Sequence, residues 1–144
     1  VDYPSEEEEK QIVKTTTAPR NLELKKVLSP ERILSLQELV LKVPASDHIV
    51  EYAVRLVRRT RPGDPLSPKI VKEWVQWGAG PRGSQYLILG GKARTILEGR
   101  YAVTTEDIRA LAKPVLRHRL IPTFHAEAEG VTSLTVIDRL LAEE

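Results

Sequence analysis

The sequence predicts an all-α fold, a small bundle of five to six helices. Three observations carry that expectation. Apolar residues recur at three- and four-residue spacing along most of the 144 residues. Proline and Ser, Thr or Asp caps stand where those stretches begin. Aromatic residues make up only 5% of the chain, and no set of alternating β-branched segments is present, so the core must be built from Leu, Ile, Val and Ala.

The elements follow in order. Pro4-Ser5 and Glu8 have the spacing of a capping box, and Glu6 to Glu9 load the first turn with negative charge that the helix dipole favours, so a helix is expected to about Thr17. Ala18 to Leu28 reads as a loop, with Pro19 and Asn21 as breakers. Ser29-Pro30-Glu31 starts a second helix carrying Ile33, Leu34, Leu36, Leu39 and Val40, which Val43-Pro44 stops. Ser46-Asp47 starts a third, with Ile49, Val50, Ala53, Val54, Leu56 and Val57 as its expected buried stripe. Arg61 to Lys69 is a linker with three prolines. Ile70 to Trp77 fits either a strand or a short helix. Gly78 to Arg82 breaks the chain and opens a helix that places Tyr86, Leu89, Ala93, Ile96 and Leu97 on one face and ends at Gly99. Thr104 and Asp107 have N-cap to N3 spacing for a helix to Leu111, which Pro114 kinks or restarts toward Val115, Leu116 and Leu120. A last helix is expected over Val131 to Leu141.

Composition narrows the function. Lys+Arg 22 against Asp+Glu 20 gives a net charge of +2, which argues against a strongly electrostatic nucleic-acid or membrane binder. The chain has no cysteine, so a disulfide framework, a thiolate zinc site and a cysteine nucleophile are excluded. No apolar run approaches the roughly 20 residues of a spanning helix. Methionine is absent even at position 1, so Val1 is expected to follow processing or to open a piece of a longer protein.

Gly78-x-Gly80-x-x-Gly83 matches the dinucleotide fingerprint letter for letter, but that motif works only inside a βαβ unit, and the rest of the chain reads as helices. No P-loop is present: Gly91-Lys92 is followed by Ala93, and Tyr86 stands where the leading glycine belongs. His48, His118 and His125 lack metal-ligand spacing, apart from a weak grouping of His125 with Glu127 and Glu129; no metal site is expected. Arg55, Arg58, Arg59 and Arg61 place four guanidiniums in seven residues, three of them in one helical sector. They read either as a phosphate-contacting face, the basis of an alternative helical nucleic-acid-binding module, or as a solvated helix end paired with acids such as Glu51. Arg82 is the most informative charge. It opens a helix, where the dipole disfavours a cation unless an anion is held at the same end.

Several blocks together resemble one known family. They are Gly78-Ala79-Gly80-Pro81-Arg82-Gly83-Ser84-Gln85-Tyr86-Leu87, Lys92-Ala93-Arg94, Glu98-Gly99-Arg100-Tyr101-Ala102-Val103, Thr105 to Leu111, and Pro114-Val115-Leu116-Arg117-His118-Arg119. In this order they resemble the C-terminal part of MoxR-family AAA+ ATPases. Asp2-Tyr3-Pro4-Ser5 with Glu6 to Glu8 resembles the stretch after that family's sensor-1 strand. Gly80 stands where the family usually has Ser, and Gly83 where Ala is common.

The resemblance implies an AAA+ lid, similar to the C-terminal domain of the magnesium chelatase ATPase subunit. Residues 1–28 would be a helix and connector from a core that is missing here, and residues 29–144 the helical lid. It implies that Arg82 is the sensor-2 arginine at the nucleotide, with Pro81 and Gly80 shaping its approach. ATP and Mg would be held mainly by the core, leaving no catalytic residue on this chain and no hydrolysis by it alone. The implied setting is cytoplasmic. The implied partners are the core, neighbouring subunits of a hexameric ring that meet the Arg55–Arg61 face, and von Willebrand factor A domain proteins. The implied output is chaperone-like remodelling or maturation of another protein.

Overall fold

The computed structural model describes residues 3–19 and 24–143. The expectations placed on Val1, Asp2 and Asn21 lie outside them. The described chain runs α1 (Glu6–Thr16), α2 (Pro30–Lys42), α3 (Asp47–Arg59), α4 (Lys69–Trp74), β1 (Val75–Trp77), α5 (Pro81–Leu97), α6 (Thr105–Leu116), β2 (Ile121–Pro122), α7 (Phe124–Ala128) and α8 (Ser133–Ala142). The all-α expectation therefore holds. The described residues contain eight helices rather than five or six, because α4 and α7 are too short to leave a periodic signature. Residues 70–77 satisfy both readings of that stretch: a short helix to Trp74 and then a strand. β1 pairs antiparallel with β2, Val75 opposite Pro122 and Trp77 opposite Ile121.

The chain divides into two compact units, 1–33 and 34–144. In the first, α1 carries the expected capping box: Ser5 N–H donates to Glu8 Oε2 at 2.8 Å, and Glu8 N–H donates to Ser5 Oγ at 3.4 Å. Lys10 pairs with Glu6 and Glu7 at 2.8 and 2.9 Å. No residue of α1 is buried. Ser29 Oγ accepts from Arg32 N–H at 3.2 Å, the cap expected for α2.

The second unit has one aliphatic core. Leu56 and Val57 of α3, Val71 of α4, Leu87 of α5, Ile108 and Leu116 of α6, and Val136, Ile137 and Leu140 of α8 are fully enclosed. Each such side chain contributes roughly 1.5–3 kcal/mol. Three periodicity-based expectations need correction. In α3 the buried face is Ile49, Tyr52, Ala53, Leu56 and Val57, whereas Val50 and Val54 remain well exposed. In α5 the enclosed row is Gly83, Leu87, Gly91 and Thr95, not the face of Tyr86, Leu89 and Leu97, of which Leu97 is almost fully exposed. The row is recessed because α6 and the segment leading into it lie close: a Cβ at Gly91 would stand 2.9 Å from Val103 Cγ1 and 3.5 Å from Ile108 Cδ1 of α6. A hydrophobicity count misses this face because small residues, rather than large ones, mark close helix approach. Third, of the two readings of Pro114, a kink or a restart, the restart fails, because α6 runs through it to Leu116. The last helix begins at Ser133, two residues later than expected, because Thr132 caps it by accepting from Thr135 N–H at 3.2 Å.

Candidate functional site

Arg82 stands at the second position of α5, with Gly80 as N-cap and Pro81 at the first helical position. Proline is pre-set for that position and loses no needed donor there. Arg82 is exposed and makes no hydrogen bond or ion pair with any described residue. Gly80 has no side chain to cap the helix, so the first-turn amides lack a side-chain acceptor; Gly83 N–H turns back to Gly80 O at 2.9 Å.

The loop that aims Arg82 is fixed from the end of α3. Thr60 is buried; its Oγ1 donates to Val57 O at 2.6 Å and accepts from Ala79 N–H at 2.9 Å. Arg61 Nε donates to Ala79 O at 2.9 Å, and Ser67 Oγ donates to Arg61 O. Gly78 lies so close that a Cβ there would stand 2.3 Å from Thr60 O. Beside this loop runs a groove of about 370 Å³ lined by Arg61, Pro62, Gly63, Gln76, Trp77 and residues 78–80.

A second polar assembly fixes the other end of α5. Asp107 is buried, with Arg100 Nη2 at 2.5 Å and Arg94 Nε at 3.1 Å from its Oδ1. Its Oδ2 accepts from Thr104 N–H at 2.9 Å, so the N-cap and N3 residues expected from their spacing meet. Burial alone would push this carboxyl up, but the Arg100 guanidinium and the Thr104 backbone and hydroxyl donors outweigh it, and its pKa lies below the usual aspartate value. The roles of Arg94 and Arg100 were missed in the sequence. Their spacing to Asp107 becomes meaningful only once Gly99, at φ +67°, turns the chain back on itself.

The four arginines near the end of α3 are distributed over several contacts. Arg55 lies 5.6 Å from the centre of the Tyr52 ring. Arg58 Nε pairs with Asp64 Oδ2 at 2.8 Å, and the Leu66 N–H together with Arg58 lowers the Asp64 pKa. Arg59 pairs with Glu143 at 2.9 Å. Arg61 serves the Ala79 loop, as above. This geometry ties α3 to the following loop and to the end of α8; it does not gather four guanidiniums toward one ligand. The histidines are separated: His48 Nδ1 meets Ser46 Oγ at 3.0 Å, His118 contacts Arg119, and His125 meets Glu129 at 3.3 Å.

The dinucleotide reading of residues 78–83 fails on context, since β1 is three residues long and among the described residues pairs only with antiparallel β2. What the chain offers is a guanidinium and helix-start amides, which fit phosphate oxygens. Among the described residues no three His, Asp or Glu side chains gather around a metal-sized space. No helix of the described residues is long and apolar enough to cross a membrane.

Comparison with known proteins agrees with this geometry. The sequence pattern of the AAA lid domain matches residues 67–140, and the chain belongs to that family. Within it, the likeness is to MoxR-type ATPases. The chain is 36% identical to chaperone MoxR1 of Mycobacterium tuberculosis over 143 residues, 98% of this chain and 37% of that protein. It is 32% identical to YeaC of Bacillus subtilis over 97% of this chain and 41% of that one. A crystal structure assigned as an ATPase from Cytophaga hutchinsonii superposes with a TM-score of 0.79 at 26% identity, covering all of this chain and 44% of that one. The chain thus spans about two fifths of the length of these relatives.

Proposed function

We propose that this chain is the nucleotide-sensing lid of a ring-forming AAA+ ATPase. Residues 29–144 form the lid, and residues 1–28 connect it to an α/β core. Arg82 is the sensor-2 residue, and Pro81 and Gly80 keep the approach to it open. ATP and Mg are held mainly by the core and supply the bond that is hydrolysed. Arg82 contributes a charge-assisted, two-pronged contact to the terminal phosphates, which stabilises charge developing in phosphoryl transfer. The same contact makes lid closure depend on the γ-phosphate, since it is gained with ATP and lost with ADP.

The observation that carries this reading is the state of Arg82. It is exposed at a helix start where the dipole opposes it, it has no partner among the described residues, and the loop behind it is held by Thr60 and Arg61. Arg59, Arg94 and Arg100, by contrast, each bind a carboxylate of the fold. We further assign the protein to the cytoplasm, to a hexameric ring in which Arg55, Arg58, Arg59 and Arg61 face a neighbouring subunit, and to chaperone-like remodelling with von Willebrand factor A domain proteins as partners. The likeness to a protein named as a chaperone supports that output. In the full ATPase, Arg82→Ala should lower turnover by roughly 10²-fold or more, the scale of a lost transition-state donor. Wild-type turnover would refute the assignment.

A further inference from the structure

The face of α5 that apolar periodicity marks as core is left open. Tyr86, Leu89 and Ala93 recur at helical spacing, yet Tyr86 is 49% exposed and Leu89 is 40% exposed. Beside this face lies a groove of about 730 Å³, lined by Val40 and Leu41 of α2, Tyr86 and Leu89 of α5, and Pro114 and Val115 of α6. A second groove of about 500 Å³ is lined by Val50 and Val54 of α3 and Ile88 of α5, and it shares Leu41 and Leu89 with the first. The two adjoin at those residues and form one apolar track. α2 borders the track without burying any residue of its own. Contiguous apolar surface of this kind marks a place where another molecule sits.

The charge along the track has one sign. Arg119 lines the first groove and Lys92 the second, and neither lining contains an Asp or Glu. The chain as a whole carries 22 Lys and Arg against 20 Asp and Glu, so the lack of acids here is local. Both cations are held by backbone carbonyls. Lys92 Nζ donates to Leu41 O at 3.1 Å. Arg119 donates to Val115 O, and its guanidinium lies 5.2 Å from the centre of the Tyr86 ring. An ammonium has three donors and a guanidinium five, so each keeps donors for a carboxylate. Two copies of this face are ill matched to each other, since a two-fold axis would set these cations against one another with no carboxylate in either lining.

We propose that this track is the docking site for an acidic amphipathic helix of a partner protein, whose leucine-like side chains enter the two grooves and whose carboxylates meet Lys92 and Arg119. A helix presents such anchors at i, i+3 or i+4, and i+7. Burial of the anchors supplies the affinity, and the flanking carboxylates select the partner by charge. The site is separate from the nucleotide contact assigned to Arg82, which lines neither groove.

The test uses the full ATPase and two synthetic helical peptides, with binding followed by fluorescence anisotropy. One peptide carries leucine at helical spacing with glutamate between; in the other every glutamate is replaced by lysine. Glutamate and lysine favour a helix about equally, so the comparison isolates charge. The glutamate peptide should bind roughly tenfold or more tightly than the lysine peptide, and raising salt from about 0.05 to 0.5 M should weaken it several-fold. Leu89→Glu should weaken it by roughly tenfold or more, the scale of one lost apolar anchor. Val54→Glu should do the same from a second helix, so the result does not hang on the folding of one variant. Leu97→Glu, a matching change at an exposed residue outside both grooves, should leave peptide affinity unchanged. Equal binding of the two peptides would overturn the proposal, as would equal weakening by Leu97→Glu. Binding of neither peptide would also overturn it, the result expected if the core or a neighbouring subunit already covers the face. None of these outcomes reads ATP binding, so the proposal and the sensor reading of Arg82 fail independently.

Discussion

Thr60 Oγ1 accepts the Ala79 amide hydrogen bond at 2.9 Å, joining the end of α3 to the loop that presents Arg82. The same hydroxyl donates to Val57 O at 2.6 Å, so one buried side chain serves a helix end and a loop at once. Thr60→Val keeps the shape but leaves the buried Ala79 N–H without a partner. It should cost about 1–3 kcal/mol in urea unfolding. Thr60→Ser should keep the hydrogen bonds and lose only a methyl group, at about 1 kcal/mol.

Gly78 tests the same junction sterically. An alanine Cβ there would stand 2.3 Å from Thr60 O and 2.7 Å from Arg61 Cα, both backbone atoms that cannot rotate away. Gly78→Ala should force the loop off α3, lower stability by about 2–3 kcal/mol and displace Arg82. Gly80→Ala, two residues on, meets nothing within 4 Å and has an ordinary φ of −80°, so it should change stability by less than about 1 kcal/mol. Equal unfolding midpoints for the two variants would contradict the packing described here.

Asp107 makes the α5–α6 junction sensitive to acid. Its folded pKa lies below the unfolded value of about 3.9. Its contribution is therefore complete above about pH 4 and is lost as pH falls through the lowered folded value. Asp107→Asn should cost about 2 kcal/mol at neutral pH, because Arg100 and Arg94 lose a charged acceptor but can still reach water. The variant should also show a shallower fall in melting temperature between pH 5 and 2 than the wild type. Parallel pH profiles would show that Asp107 does not carry the acid response.

The arginines of α3 lead to a further expectation. Arg58 and Arg59 are paired with Asp64 and Glu143, and Arg61 is bonded to the Ala79 loop. With a net charge of only +2, the chain should show no salt-dependent binding to duplex DNA in a titration at low ionic strength. A steep salt dependence would revive the nucleic-acid reading.

Much of this was legible in the sequence because it is local. Ser5–Glu8 and Thr104–Asp107 are caps that depend on three-residue spacing, and both formed as expected. Pro81-Arg82 at a helix start was equally readable, since proline fixes the first position. What escaped was non-local. The buried row of α5 consists of Gly83, Leu87, Gly91 and Thr95, residues whose burial depends on how near α3 and α6 lie rather than on their own hydrophobicity. The bonds from Thr60 and Arg61 to Ala79 cross 19 and 18 residues of sequence, and no periodicity reports them. Trp77 drew notice only as part of an ambiguous stretch. Its exposure depends on where the two-stranded ladder places it.

The most direct measurement compares ATP and ADP affinities of the full ATPase with those of its Arg82→Ala variant. A guanidinium that meets the terminal phosphate should favour ATP, and its loss should weaken ATP by roughly tenfold or more while ADP changes little. Stability should not move, since Arg82 holds no described residue. An unchanged ATP-to-ADP ratio in the variant would contradict the account.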